Sequence, residues 1–163
     1  MTLSGRARPG RGDVRLILEL TDLCNTDCPH CVRAEPEGGS FLSPELVERI
    51  LREVAPYGMV DLVAFTGGEP TLHPELDRLC GLVAAAGHDL ALVTNGSRFE
   101  RVLPILAPIR DRVRAVTFSL DGATEGTHDS IRRRPGSFRE VVAAVLQCRR
   151  HDLDVQLNMT VLR

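Results

Sequence analysis

The sequence predicts an α/β domain built on a parallel sheet. Short strand-like apolar runs at 14–20, 59–65, 89–93, 113–120 and 155–161 alternate with helix-like segments, a repeating βα pattern. Each run leads into a helix, which implies right-handed crossovers and makes the loops at the carboxyl ends of the strands the functional face. The 163 residues, 43% hydrophobic and 26% charged, suffice for one compact domain.

Taken in order, residues 1–13 combine glycine, proline and Arg6, Arg8 and Arg11 without apolar periodicity, which predicts a flexible tail, and the folded domain is expected over 14–163. After the first strand, Ser43 is placed to cap a helix and Pro44 suits its first position. Leu46, Val47, Ile50, Leu51 and Val54 fall on one face before Gly58 stops the helix. A second helix follows Pro74, with Leu76, Leu79, Cys80 and Val83 as its buried stripe and Gly87 as its end. The third, near 98–110, is interrupted by Pro104 and Pro108 and is expected to be short or bent. The fourth, from Ser137 to about His151, is expected to turn Val141, Val142, Val145, Leu146 and Cys148 toward the sheet.

Charge narrows the function. Twenty basic and 22 acidic residues leave a net charge of -2, which provides no field to attract nucleic acid or an anionic membrane. No run approaches the roughly 20 apolar residues of a membrane-spanning helix, and the first 13 residues lack the apolar core of a secretory signal. A cytoplasmic location is therefore expected. In a reducing compartment thiols stay free, so three of the five cysteines within eight residues point to a metal site before they point to disulfides.

The unusual residues fall on the predicted functional rim. CNTDCPHC follows strand one, TGGEP ends strand two, TNG ends strand three and SLDG ends strand four. Cys24, Cys28 and Cys31 have the spacing C-x3-C-x2-C, which lets one loop wrap a compact metal centre. A four-iron cluster is usually held by four thiolates, so three leave one iron open to a substrate or cofactor. The rival is zinc, with His30 completing a Cys3His set. Adjacent residues such as His30 and Cys31 rarely point at one ion, and zinc sites normally draw on two separated pairs. Cys80 and Cys148 lie on apolar helix faces, where a small buried thiol is ordinary, and are not expected to be ligands.

With Cys24, Cys28, His30 and Cys31 in the pattern C-x3-C-x-aromatic-C, the sequence resembles the radical S-adenosylmethionine superfamily over residues 14–163. That resemblance implies an incomplete, partial TIM-like (β/α) barrel. It also implies two cofactors, a 4Fe-4S cluster on the three cysteines and S-adenosylmethionine, whose amino and carboxylate groups chelate the open iron. Gly67, Gly68, Glu69 and Pro70 match the family motif that receives the methionine ammonium. There the glycines permit close backbone approach, Glu69 is placed for a charge-assisted hydrogen bond and Pro70 fixes the turn; taken alone, the motif also reads as a glycine-rich turn with a solvated glutamate.

Thr94, Asn95 and Gly96 resemble a triplet that lines the cofactor pocket. Ser119 is implied to contact the ribose or carboxylate, and Asp121 either accepts from the ribose hydroxyls or caps the next turn. The stretch 128–138 looks like the same segment in members with an appended SPASM or twitch domain. One of Arg132, Arg133 and Arg134 is placed to bind the methionine carboxylate, Arg132 by motif alignment. Asn158 either faces the adenosine or serves as a hydrogen-bonded barrel residue, and His30 holds the aromatic position of the cluster loop.

Members usually have six βα units, whereas about five strands are recognisable here. A truncated gene, an incomplete gene model and a short protein completed by a partner chain all fit. The fifth strand is then expected to be an exposed parallel edge. The activity implied is reductive cleavage of S-adenosylmethionine to a 5′-deoxyadenosyl radical, which takes a hydrogen atom from a peptide or a small cofactor precursor. The electron would come from a low-potential donor of the flavodoxin or ferredoxin type. A non-catalytic cluster-binding accessory module is the alternative.

Overall fold

The computed structural model of the chain describes residues 14–31 and 39–161; the expected tail at 1–13 lies outside the described residues. Five strands, β1 (Val14–Glu19), β2 (Val60–Thr66), β3 (Asp89–Thr94), β4 (Val113–Ser119) and β5 (Val155–Asn158), form one sheet in sequential order. Every neighbouring pair is parallel. Helices α1 (Pro44–Val54), α2 (Leu76–Ala85), α3 (Phe99–Leu106), α4 (Glu125–Arg132) and α5 (Ser137–Arg150) occupy the connections. Sequential order with crossovers of one hand puts the helices on one face and leaves the opposite face concave, the geometry of a partial barrel.

The register makes the two faces different. Leu18 pairs with Phe65, Phe65 with Leu92 and Leu92 with Val116, and this buried row packs with Val47, Leu79, Val102 and Val141 from the helices. On the other face Ile17, Ala64, Ala91 and Ala115 are in register, so small side chains floor the concave side. β5 is an exposed edge as expected, with Leu157 54% accessible and Met159, just beyond the strand, 59%.

The helices follow their sequence signals with two departures. Ser43 caps α1 by accepting from the Leu46 N–H, Pro44 sits in its first turn, and a 3-10 turn ends at Gly58 with a left-handed φ of 61°. α2 buries the expected Leu76, Leu79, Cys80 and Val83, and α3 is short, passing into a 3-10 segment after Leu106. In α5, however, Val142 and Leu146 are 40% and 47% exposed, while Val141, Ala144 and Cys148 are buried. At 3.6 residues per turn 141, 144 and 148 form one stripe, and 142 and 146 are rotated roughly 100° and 140° from Val141. The sequence also gave no sign of α4, capped by Thr124, because its buried side chains are His128 and Arg132, a polar i, i+4 pair that leaves no apolar period. No helix among the described residues is long and apolar enough to cross a membrane.

Candidate cofactor site at the carboxyl ends of the strands

The loop that carries the cysteines is strapped to the end of β2 by main chain. The Leu20 N–H donates to Thr66 O (2.8 Å), Gly68 N–H to Thr21 O (2.7 Å) and Glu69 N–H to Leu23 O (2.7 Å). Both glycines are required by this contact. Gly67 has a φ of 133°, and a Cβ on it would sit 2.5 Å from Thr21 O; one on Gly68 would sit 1.9 Å from Leu23 O. Farther along, Asp22 accepts from Ser40 N (2.7 Å) and Ser40 Oγ (2.8 Å), and the Thr21 hydroxyl donates to Ser40 O (2.7 Å), which closes the base of the loop. His73 accepts the Glu75 N–H on Nδ1, so its Nε2 carries the proton and donates to Leu42 O at 3.0 Å.

Above this strap is a cavity of about 180 Å³. Cys24, Cys28, Cys31 and His30 line it from the loop after β1, Gly67 and Gly68 from the end of β2, and Thr94 and Asn95 from the end of β3. Ser119 from β4 and Arg132 from α4 complete the wall. Ten of the residues singled out in the sequence thus meet around one space. The Thr26 hydroxyl lies 3.2 Å from Cys24 Sγ and 3.5 Å from Cys28 Sγ, so these two thiols face each other across one polar atom.

Four of the expected contacts are placed elsewhere. The Glu69 carboxylate is 1% exposed and does not line the cavity. Its Oε1 accepts from Thr94 Oγ1 (2.6 Å) and Thr71 N (3.1 Å), and its Oε2 from Asn95 N (2.7 Å). Instead of a solvated side chain it is a buried hub joining the ends of β2 and β3. Asp121 also lies outside the cavity lining; Oδ2 pairs with Arg132 Nη2 at 2.7 Å and Oδ1 accepts from Thr160 N at 2.9 Å. The cap of the following helix is Thr124, not Asp121. Pro70 is buried and opens a 3-10 turn, and the main-chain carbonyl of Asn158 accepts from Leu120 N at 2.8 Å, away from the cavity.

The structure also brings in residues the sequence did not single out. Asn25 accepts from Asn95 Nδ2 and donates to Ser97 Oγ, both at 2.8 Å, fastening the cysteine loop to the end of β3. His128 is 1% exposed and accepts the Asp121 N–H on Nδ1 at 3.1 Å. Burial, then the Arg132 guanidinium, holds its imidazole below the ordinary pKa, so it is kept neutral. The sequence sign of Asn25 is its place inside the cysteine run, and that of His128 its place at the start of the 128–138 stretch. Arg133 and Arg134 turn away, pairing with Asp27 and Glu140.

Burial pushes the Glu69 carboxyl up from the ordinary 4.5, opposed by the hydrogen bonds from Asn95, Thr94 and Thr71. Because the folded chain holds this proton more tightly than the unfolded chain, stability is greatest below the unfolded value. It falls as pH rises toward the folded value and is flat beyond it. Urea midpoints measured through the acid range are expected to show this decline, and Glu69→Gln is expected to remove it; the same profile in both proteins would assign the slope to other groups.

The cavity's lining fits the group its thiols suggest. Three soft thiol donors ring it, and the remaining cysteines, Cys80 and Cys148, are buried in helices. His30 Nδ1 and Arg132 Nε are buried at its edge without partners, as groups awaiting a polar ligand would be. Among the described residues no three His, Cys, Asp or Glu side chains converge on a single-ion position.

A partial barrel with a thiol-ringed cavity at its carboxyl rim defines a class of α/β cofactor domain. The profile of the radical SAM superfamily matches residues 18–163, and the chain belongs to that superfamily, whose members bind a 4Fe-4S cluster and S-adenosylmethionine. The AdoMet-dependent heme synthase of Methanosarcina barkeri is 32% identical over 151 residues, 88% of this chain and 41% of that protein. The S-adenosylmethionine-dependent nucleotide dehydratase of a Thermoplasmatales archaeon is 33% identical over 142 residues, 86% of this chain and 50% of that protein. The fold is similar to Streptococcus suis SuiB bound to S-adenosylmethionine, with a TM-score of 0.70, 16% identity, and coverage of 94% of this chain and 42% of that one. It is also similar to anSMEcpe with bound AdoMet and a Cp18Cys peptide, with a TM-score of 0.72, 21% identity, and coverage of 88% and 42%. The chain thus spans between about three tenths and half of the length of the curated relatives it matches.

Proposed function

We propose that Cys24, Cys28 and Cys31 hold a 4Fe-4S cluster and that the cavity beside them seats S-adenosylmethionine, making the chain the cofactor-binding part of a radical SAM enzyme. The single observation that carries this is the meeting of the three thiols with Gly67, Gly68, Asn95, Ser119 and Arg132 around one cavity. When bound, the reduced cluster would supply one electron to the sulfonium of S-adenosylmethionine, whose carbon–sulfur bond would break to leave methionine and a 5′-deoxyadenosyl radical for hydrogen abstraction.

The chain's own residues bind and shelter. The main chain at Gly67 and Gly68 receives the methionine ammonium, while Glu69, its carboxylate already engaged, and Pro70 fix that turn. Arg132 faces the methionine carboxylate, Ser119 and Thr94 the ribose side, and His30 the adenosine. Asp121 acts by holding Arg132. The substrate is a peptide or a small cofactor precursor. Peptide is supported by the structural neighbours SuiB with its precursor peptide SuiA and anSMEcpe with a peptide, and a small molecule by the heme synthase relatives.

A low-potential flavodoxin or ferredoxin type donor supplies the electron, and a reducing cytoplasm suits the free thiols. A second role is that of a non-catalytic cluster-binding accessory module that pairs with a partner chain, for which the exposed β5 edge at Leu157 offers a pairing surface. Air-free reconstitution with iron and sulfide, followed by S-adenosylmethionine and dithionite, separates the two. Release of 5′-deoxyadenosine supports the enzyme, a loaded cluster without release supports the accessory module, and a colourless zinc protein overturns both.

A further inference from the structure

We infer that the buried Asp121–Arg132 ion pair sets the reduction potential of the cluster through Cys28, which makes both of them positioning residues for electron uptake. This rests on the cluster assignment above and goes beyond it. The Arg132 side chain is 10% exposed and its guanidinium is divided between two partners: Nη1 lies 3.5 Å from Cys28 Sγ and Nη2 2.7 Å from Asp121 Oδ2. Asp121 is 1% exposed at its side chain and is pinned on its other oxygen by the Thr160 N–H.

The three cysteines are not treated alike. Cys24 has a neutral and longer contact, from Asn95 Nδ2 at 3.9 Å. No side-chain N–H reaches Cys31 among the described residues, so the single cationic donor is directed at Cys28.

Reduction adds one electron to the cluster, breaks no bond, and increases the negative charge shared by its thiolates. A guanidinium N–H on a thiolate stabilises the reduced state more than the oxidised one and so raises the potential. The Asp121 carboxylate cancels part of that charge, and because both groups are buried, each effect exceeds what water would allow. Removing the cation and removing the anion must therefore shift the potential in opposite directions. A role confined to folding would change the amount of cluster loaded without dividing the two variants by sign.

The full chain, reconstituted without air and without S-adenosylmethionine, is poised at known potentials with dithionite as electron source, and the reduced cluster is read by electron paramagnetic resonance. Omitting S-adenosylmethionine keeps carboxylate binding by Arg132 out of the measurement. Arg132→Gln is expected to make reduction about tenfold less favourable, a shift of about 59 mV to more negative potential. Asp121→Asn is expected to move it by a similar amount in the positive direction. Arg132→Lys, which keeps the charge, should stay nearest to wild type and serves if Arg132→Gln loads poorly. Loaded variants with unchanged potentials, or with both shifts of one sign, overturn the inference and leave the cluster assignment intact. A wild-type chain that takes up no iron overturns the cluster assignment itself.

Discussion

Cys28→Ala is expected to yield a folded chain that takes up less than about a tenth of the wild-type iron and lacks the brown visible absorption. Loss of a residue that merely supports a ligand already costs roughly 10–100-fold in metal affinity, and loss of a ligand costs at least that. Cys28 is the middle thiol of the three. Its Sγ meets Thr26 on one side and Arg132 on the other, so its removal also leaves the guanidinium facing an empty position. The residue lies outside the strands and helices, so far-UV circular dichroism should be unchanged. Cys80→Ala is the control: Cys80 is 1% exposed in α2, burial pushes its thiol up to about 12, and iron uptake should be retained. Iron analysis and the visible spectrum decide, and a Cys28→Ala protein that keeps the band refutes the ligand assignment.

Gly68→Ala is expected to be nearly as damaging by a different route. The added methyl would lie 1.9 Å from Leu23 O, 2.4 Å from Leu23 C and 2.9 Å from Asp22 O, all of them backbone atoms that no rotamer change can move. The strap between β2 and the cysteine loop must part, and with it the bonds from Gly68 N to Thr21 O and from Glu69 N to Leu23 O. Overpacking costs about 1–3 kcal/mol, and each backbone bond lost about 1 kcal/mol more, a large share of a typical domain's stability. A fall in thermal midpoint together with lost iron uptake is the expected pair of results. Gly81→Ala, in a helix where nothing lies within 4 Å of the new methyl, should be neutral or slightly stabilising. Wild-type stability and iron uptake in Gly68→Ala would show that the strap does not position the loop.

The order of elements was legible because it is written locally. Leu62–Phe65 and Leu90–Val93, within β2 and β3, are continuous apolar runs, as strands covered by helices on one side require, and Ser43 with Pro44 announces α1 three residues ahead of its first apolar position. The departures have local causes too. Val142 and Leu146 are apolar, yet their rotation around α5 turns them out, and α4, a helix that buries a histidine and an arginine, has no apolar stripe to detect.

The chemistry available and the place where it gathers are written in the chain: three thiols in eight residues, a glycine pair after β2, and polar triplets after β3 and β4. Sequential parallel strands deliver their carboxyl ends to one rim, so position along the chain suffices to predict co-location. Only the tertiary structure decided the partners. Arg132 meets Cys28 across 104 residues and Glu69 meets Thr94 and Asn95 across 25 and 26, and no local period encodes contacts at such separations. The close approach of Gly68 to Leu23 likewise exists only once the cysteine loop is folded against β2. A buried carboxylate must be satisfied by whatever donors the packing brings within reach, and so Glu69 and Asp121 support the cavity from behind while the glycines, thiols and Arg132 form its wall.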